Sequence, residues 1–178
     1  MPDIRKAQAA DFAAIADIYK DGVLNGTGTF DIDPPSPQYM ADRWQSLSAM
    51  NLPYLVATEG ETVIGYAYAS PFRERIAYRY GVEDSIYVHP AHKGKGVGKT
   101  LLAALIAAST EAGYYYMYAV IGDAANTGSI ALHESAGFEH TGRLPQAGYK
   151  FDRWLDVIFM SKALRPVDGP AIGQGWAV

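Results

Sequence analysis

The amino-acid sequence predicts an α/β (α+β) fold in which helices flank one mixed, mostly antiparallel sheet. Two β-rich runs in YLVATEGETVIGYAYAS lie on either side of a short turn from Glu59 to Glu61, which is typical of an antiparallel strand pair. Further along, a β-rich run, a glycine-rich loop, an apolar helical run and another β-rich run follow one another. The outer strands of such a unit are expected to be parallel.

The N-terminal third of the chain predicts one strand and two helices. MPDIRKA is a short strand, and ADFAAIADIYKDGV has apolar residues at helical spacing behind Asp11, the expected N-cap. Ser36 followed by Pro37 predicts the start of a second helix, which runs toward Ala49. The Gly- and Pro-rich loop between the two helices is long enough to line a site.

The remaining elements complete the sheet. A strand is predicted at 84–89, a helix from Lys99 to Ala112 and a strand from about Tyr114 to Ile121. Asn126 is expected to cap a short helix that ends at Gly137, and FEHTGRL and RWLDVIFMSKA predict two closing strands. We therefore expect a single domain over residues 1–165 and a flexible, Pro- and Gly-rich tail over residues 166–178.

Composition excludes several classes of function. The net charge of −4 and the pI near 5.5 argue against a nucleic-acid binder, which would carry a basic face. The absence of cysteine excludes thiolate metal sites and a covalent cysteine intermediate, and we predict no metal. No segment approaches the roughly 18 apolar residues of a membrane span, and the N-terminus lacks an apolar signal core. We therefore expect a cytoplasmic protein without a membrane partner.

The stretch HKGKGVGKTLLAALI ends its glycine-rich part like a nucleotide-triphosphate loop. That loop needs glycine where Lys93 stands, and the dinucleotide pattern G-x-G-x-x-G fails because Lys99 or Leu101 occupies its last position. The glycines still predict a loop that aims main-chain N–H groups at an anion on a helix N-terminus. The alternative is an ordinary glycine-rich turn between a strand and a helix.

Two segments, SIYVHPAHKGKGVGKTLL and NTGSIALHESAGF, and the order of elements over most of the chain resemble the GNAT superfamily of acetyl-CoA-dependent N-acetyltransferases. The resemblance implies the GNAT fold, whose central sheet contains a splayed pair of parallel strands. In that family the loop reads Gln/Arg-x-x-Gly-x-Gly/Ala, which here is Lys93, Gly96 and Gly98, with lysine in place of the usual first residue. His133 stands where the family usually has tyrosine.

SPFRERIAYRYGVEDSIYV and GYKFDRWLDVIFM resemble the phosphinothricin and methionine sulfoximine acetyltransferases, which acetylate the α-amino group of small amino acids. The resemblance implies direct attack in a ternary complex, with methionine sulfoximine, methionine sulfone or phosphinothricin as candidate acceptors. It also implies a homodimer, to which the aromatic-rich segment YKFDRWLDVIF contributes.

Acetyl-CoA is the cofactor that the resemblance implies. Its pyrophosphate suits the N–H donors and the helix dipole of the glycine loop, and its pantetheine amides can pair with a sheet edge like an added strand. An alternative interpretation is that the lysines of the loop are solvated surface charges without a role in binding. The predicted cofactor-binding residues are Ile86, Tyr87, Val88, Lys93, Gly94, Lys95, Gly96, Val97, Gly98, Lys99, Asn126 and Ser135.

Acetyl transfer to an amino acid requires a base, because the acceptor's ammonium group is mostly protonated at neutral pH. In the resembling enzymes a glutamate at the place of Glu83 is the proposed base, and a histidine at the place of His133 lies near the thioester. We therefore predict Glu83 as the base and His133 as a helper that protonates the leaving thiolate, with Tyr118 as an alternative acid. A solvated turn glutamate and a packed histidine are the alternative interpretations.

The carboxylate of an amino-acid acceptor suits a guanidinium fork. PFRERIAY offers Arg73 and Arg75 at a spacing of two, which points both the same way on extended backbone. Surface ion pairs with Glu74 or nearby acids are the alternative. The predicted substrate-binding residues are Phe30, Arg73, Glu74, Arg75, Tyr78, Glu83, Asp84 and Ser85.

Two other functions stay open. A GNAT enzyme that acts on a polyamine or aminoglycoside would need an acidic pocket, which Arg73 and Arg75 disfavour. A catalytically silent CoA-binding module would use the same glycine loop, and the presence of both Glu83 and His133 disfavours it.

Overall fold

The structure of the protein is a computed structural model that describes residues 2–168 and 175–176. The strands are β1 Asp3–Lys6, β2 Tyr54–Glu59, β3 Thr62–Pro71, β4 Gly81–Val88, β5 Tyr116–Gly122, β6 Glu139–Lys150 and β7 Arg153–Ala163. The helices are α1 Phe12–Asn25, α2 Pro37–Ala49, α3 Val97–Glu111 and α4 Thr127–Ser135.

Within the described ranges the strands form one seven-stranded sheet in the order β1-β2-β3-β4-β5-β7-β6. Neighbouring strands are antiparallel, except that β4 and β5 are parallel. The parallel ladder extends from Gly81 opposite Tyr116 only to Glu83 opposite Tyr118. Beyond Glu83 the two strands separate, so the rest of β4 has a partner on the β3 side alone. The predicted mixed sheet with a splayed parallel pair is confirmed.

The alternation of side chains along β3 decides what packs on each face of the sheet. Tyr66 and Tyr68 point to the face covered by α1 and α2, where Tyr66 stacks on Tyr87 at a centroid distance of 5.3 Å. Gly65 and the small alanines that alternate with the tyrosines point to the opposite face. There α3 lies so close that a Cβ on Gly65 would be 3.1 Å from Leu101. The sequence GYAYA therefore builds an aromatic layer on one face and admits a helix on the other.

Two of the three predicted helix caps are present. The Ser36 hydroxyl oxygen accepts a hydrogen bond from the Tyr39 amide at 3.2 Å, and the Asn126 side-chain oxygen accepts one from the Ser129 amide at 3.3 Å. Asp11 occupies the predicted N-cap position of α1, but its side chain makes no capping hydrogen bond to that helix. A 3₁₀ turn precedes the helix, and the Asp11 carboxylate caps that turn and forms an ion pair with Arg5 at 2.7 Å.

Several element boundaries differ from the prediction. β4 begins at Gly81 rather than at residue 84, and β5 begins at Tyr116 rather than at Tyr114. α3 begins at Val97 because Gly96, with φ +83°, turns the chain into the helix two residues earlier than expected. β6 extends to Lys150, well beyond FEHTGRL.

A loose tail is predicted over residues 166–178, and the structure contradicts this prediction at Trp176. Residues 169–174 and 177–178 of the predicted tail lie outside the described residues. Trp176 is 2% exposed, belongs to the core cluster and donates its amide to the Arg79 carbonyl at 3.1 Å. A large indole gains more from burial in the core than from remaining in water. None of the helices in the described part of the chain is long and apolar enough to cross a membrane.

Candidate active site

A cavity of about 1010 Å³ occupies the gap where β4 and β5 separate. Its walls come from α1, the loop at residues 26–31, the outer half of β4, the glycine loop with the start of α3, and α4. The N-terminus of α3 therefore lines one end of the cavity, and the aromatic face of the sheet lines the other.

The glycine loop places main-chain donors at one end of the cavity. Gly94 and Gly96 have φ values of +75° and +83°, which residues with a side chain rarely adopt. The conformation, and not a lack of space, therefore favours glycine here, because no atom would obstruct a Cβ at either position. These glycines turn the chain so that the first N–H groups of α3, which have no partner within the helix, face the cavity. The predicted loop residues that line the cavity are Lys93, Gly94, Gly96, Val97, Gly98 and Lys99. Lys95 lies outside the lining.

The outer half of β4 forms the second wall. Ile86, Tyr87 and Val88 line the cavity and have no β5 partner. Their main-chain edge is thus free to pair with amide groups of a ligand. At the far side Asn126 lines the cavity while capping α4, whereas Ser135 donates its hydroxyl to the Leu132 carbonyl at 2.8 Å and lies outside the lining.

Glu83 is the last residue of β4 that pairs with β5, and it lines the cavity on the aromatic face of the sheet. Burial disfavours the charged carboxylate and raises its pKa to about 7, and the nearby negative charge of Asp84 contributes in the same direction. Arg73 and Arg43 oppose the rise. A carboxyl group with this pKa is half ionised near neutral pH, which suits a general base.

His133 forms a buried pair with Asp84 on the opposite face. Its Nε2 lies 3.0 Å from an Asp84 carboxylate oxygen, and its Nδ1 lies 2.7 Å from the Ser129 carbonyl oxygen, so Nδ1 donates. Burial alone would lower the pKa of His133, but the hydrogen bond and the charge of Asp84 outweigh it and raise the pKa. Both ring nitrogens therefore face acceptors, which favours the protonated form of the ring.

This arrangement does not fit the expected role of His133 as a proton donor to the leaving thiolate. Both ring nitrogens are engaged within the protein, and consecutive residues of a strand point to opposite faces. Glu83 and the Asp84–His133 pair are thus separated by the sheet itself. His133 still lines the cavity, where its ring is paired with Asp84.

The segment after β3 differs from the expectation. β3 ends at Pro71 and residues 72–75 form a bend, so the prediction of a continuous extended backbone through Arg73 and Arg75 is wrong. Arg73 folds back to donate to the Phe72 carbonyl at 2.7 Å. Of the predicted substrate-binding residues, those outside the cavity lining are Arg73, Glu74, Arg75 and Tyr78. Those within it are Phe30, Glu83, Asp84 and Ser85.

Sequence reasoning missed Arg43, which lines the cavity on the same face as Glu83. Its guanidinium lies 5.4 Å from the ring centroid of Tyr68. One signal was available, because Arg43 stands three residues after Met40 and four before Leu47, both of which are buried. Arg43 is itself exposed, but an arginine beside the apolar stripe of a helix has a side chain long enough to reach over the sheet, as the contact with Tyr68 shows.

Sequence reasoning also missed how the loop at residues 26–31 is held over the cavity. Lys150 donates from Nζ to the carbonyls of Gly26 and Thr29, each at 2.9 Å. The Phe30 ring occupies space that side chains at Gly122 and Gly148 would fill. The loop therefore presents Phe30 as a fixed wall of the cavity.

The acetyltransferase (GNAT) family model matches residues 12–138, which include the glycine loop, the splayed strand pair and α4. The chain belongs to the GNAT acetyltransferase family. As a GNAT member it is an acetyltransferase, and both the family and the fold predicted from the sequence are confirmed.

Several characterised GNAT proteins are similar to the chain over nearly its whole length. It is 40% identical over 165 residues to a phosphinothricin N-acetyltransferase of Alcaligenes faecalis, covering 93% of this chain and 84% of the relative. It is also 40% identical over 161 residues to an L-methionine sulfoximine/L-methionine sulfone acetyltransferase of Salmonella typhimurium, covering 90% and 94%.

A solved GNAT structure has the same fold. The crystal structure of a phosphinothricin acetyltransferase from Sinorhizobium meliloti in complex with acetyl-CoA has a TM-score of 0.89 and 46% identity, covering 94% of each chain. The bound acetyl-CoA of that relative agrees with the cofactor expected for this chain. Among the described residues of this chain no group of His, Cys, Asp and Glu side chains is arranged to hold a metal ion.

Proposed function

We propose that the protein acetylates the α-amino group of a small amino acid or amino-acid analogue, with acetyl-CoA as donor. Methionine sulfoximine, methionine sulfone and phosphinothricin are the candidate acceptors, since relatives at 40% identity carry these names. The observation that carries the proposal is the position of Glu83, a half-buried carboxyl with a pKa of about 7 that lines the cavity at the point where β4 and β5 separate.

The cavity fits acetyl-CoA. The N–H groups at the start of α3 and the ammonium groups of Lys93 and Lys99 suit the pyrophosphate, and the free edge of Ile86–Val88 suits the amides of the pantetheine arm. When bound, acetyl-CoA supplies a thioester carbonyl that an uncharged amine attacks while the thiolate leaves. A pantetheine arm paired with that edge would lead along β4 toward Glu83, which lies on the same strand and lines the same cavity.

Glu83 acts as the general base in this proposal. It accepts the proton of the acceptor's ammonium group, directly or through one water, so that the uncharged amine attacks in a ternary complex. The hydrogen bond between His133 and Asp84 holds α4 against β4 beside the cavity. Arg73, whose charge acts on Glu83, and Arg75 remain candidates for contact with the acceptor.

We also propose a homodimer in which the β6–β7 hairpin forms the contact. Four large apolar side chains of this hairpin are at least half exposed, which is unusual for one small region of a monomer. They are Leu144, Tyr149, Phe151 and Trp154. Light scattering coupled to size exclusion is expected to give twice the mass of one chain, and a monomer at micromolar concentration would contradict the proposal.

The acceptor assignment is tested by thiol release from acetyl-CoA with a panel of acceptors. Methionine sulfone, methionine sulfoximine and phosphinothricin are expected to give turnover, whereas polyamines and aminoglycosides are not, because Arg43 and Arg73 repel cations beside the base. Glu83→Gln serves as the inactive control. Turnover with cationic amines alone would replace the proposal with the polyamine or aminoglycoside alternative. Acetyl-CoA binding without turnover of any amine would indicate a silent binding module.

A further inference from the structure

Arg43 is placed on α2 so that its side chain reaches the acceptor end of the cavity. It lies on the stripe of α2 that contains the buried Met40 and Leu47, and its guanidinium lies over the Tyr68 ring at 5.4 Å. Tyr68 and Glu83 point to the same face of the sheet, because Tyr68 pairs with Ser85, two residues beyond Glu83 on β4. Arg43 therefore faces the neighbourhood of the base.

The guanidinium of Arg43 has no carboxylate partner among the described residues. Arg5 and Arg153, by contrast, form ion pairs with Asp11 at 2.7 Å and with Asp123 at 2.6 Å. Arg43 instead lies over the Tyr68 ring, shares a side-chain hydrogen bond with Tyr39 and lines the cavity. A guanidinium without a carboxylate partner, beside a substrate cavity, is suited to an anionic group of the ligand.

The other cations that line the cavity are committed elsewhere. Lys93 and Lys99 lie at the glycine loop, and His133 is paired with Asp84 on the opposite face of the sheet. Arg73 also acts on Glu83, but it lies outside the lining and donates to the Phe72 carbonyl. Arg43 is thus the arginine of the lining that shares a face with the base.

Building on the proposed function, we propose that Arg43 binds the α-carboxylate of the acceptor amino acid and so orients its α-amino group toward Glu83. The amino and carboxylate groups are bonded to the same carbon atom, so an amine held at Glu83 places the carboxylate within reach of a group on the same face. A fork of two N–H donors also matches the two carboxylate oxygens, which a lysine cannot do.

The experiment compares acceptors with and without the carboxylate in wild type and in Arg43→Gln and Arg43→Lys. The acceptors are methionine sulfone and its α-carboxamide, at saturating acetyl-CoA. For the carboxylate acceptor, Arg43→Gln is expected to raise KM by about tenfold or more, as expected for loss of one charge-assisted contact, with little change in kcat. The KM of Arg43→Lys is expected to lie between those of wild type and Arg43→Gln, because lysine keeps the charge but lacks the two-donor fork. Lys20→Gln, which removes an exposed charge of α1, is the matched control and leaves KM unchanged.

The carboxamide separates recognition from a structural effect. Its KM is expected to be nearly the same in wild type and Arg43→Gln, because the contact is already absent. Equal losses for both acceptors, or an unchanged KM for the carboxylate acceptor, would overturn the assignment of Arg43 while leaving the proposed function intact. Turnover of no amino acid by wild type, with intact acetyl-CoA binding, would overturn the proposed function and this inference together.

Discussion

Glu83 connects the position of a single side chain with the pH dependence of the reaction. Its pKa is raised to about 7 by burial first and by Asp84 second, so the carboxyl is protonated below that pH and is a base above it. We therefore expect kcat to rise with pH through about 7 and then to level off. Glu83→Gln is expected to lose this limb and about two orders of magnitude or more in kcat.

A pH profile measured at saturating acetyl-CoA and acceptor checks this prediction. Acetyl-CoA affinity, measured in parallel, should be unchanged in Glu83→Gln, because the side chain lies at the acceptor end. A wild-type profile that is flat between pH 6 and 8 would argue that another group removes the proton.

Asp84 influences two groups on opposite faces of the sheet. Its charge contributes to the raised pKa of Glu83, and its hydrogen bond raises the pKa of His133. In Asp84→Asn the loss of the negative charge is expected to lower both pKa values, since burial still disfavours the imidazolium. The acid limb of kcat therefore moves to lower pH.

Nitrogen NMR of the His133 ring measures the second half of this prediction. Wild type should show both ring nitrogens protonated at neutral pH, and Asp84→Asn should show one of them deprotonated. A neutral ring in the wild-type protein would refute the buried ion pair.

At the scale of an element, the glycine loop depends on a backbone conformation that side chains rarely adopt. Gly96 has φ +83°, and an alanine there would strain the loop by about 1–2 kcal/mol or rotate the N–H groups away from the cavity. Gly96→Ala is expected to weaken acetyl-CoA binding. Gly60→Ala is the matched control, because Gly60 has φ +58° in the turn between β2 and β3, away from the cavity.

Calorimetric titration of both variants distinguishes a local effect from a general loss of stability. Both should lower the melting temperature, and Gly96→Ala alone should lower acetyl-CoA affinity. Equal affinities in the two variants would show that the main-chain conformation at Gly96 is unimportant for binding.

The loop at residues 26–31 depends on a second close approach. A Cβ at Gly148 would collide with the Phe30 ring, so Gly148→Ala is expected to displace the ring and change the KM for the acceptor rather than for acetyl-CoA. Gly142→Ala on the same strand is the control, since its nearest neighbour is the Phe159 Cβ at 3.9 Å. Steady-state kinetics, with each substrate varied in turn, measures the KM for the acceptor and the KM for acetyl-CoA separately. An unchanged acceptor KM in Gly148→Ala would remove Phe30 from the acceptor wall.

For the whole molecule, the order of elements was predictable because each helix and strand has its own periodicity and turn residues. The separation of β4 from β5 came from family resemblance, since no local pattern records where a ladder stops. The Asp84–His133 pair joins residues 49 positions apart, and the Lys150 contact with Gly26 joins residues 124 apart. Such contacts, like the buried Trp176, arise from tertiary packing and were therefore missed.

The whole molecule brings the helix N-terminus at the glycine loop, a free sheet edge and the half-buried carboxyl of Glu83 into one cavity. Each part is ordinary by itself, and acetyl transfer requires that they face the same ligand. The account therefore depends first on binding of acetyl-CoA in the gap between the separated strands.

Calorimetric titration of the protein with acetyl-CoA tests this requirement most directly. The account predicts saturable binding of one molecule per chain that weakens as salt concentration rises, because the loop and its lysines neutralise phosphate charge. A titration without detectable binding, in a protein that is folded by circular dichroism, would contradict it.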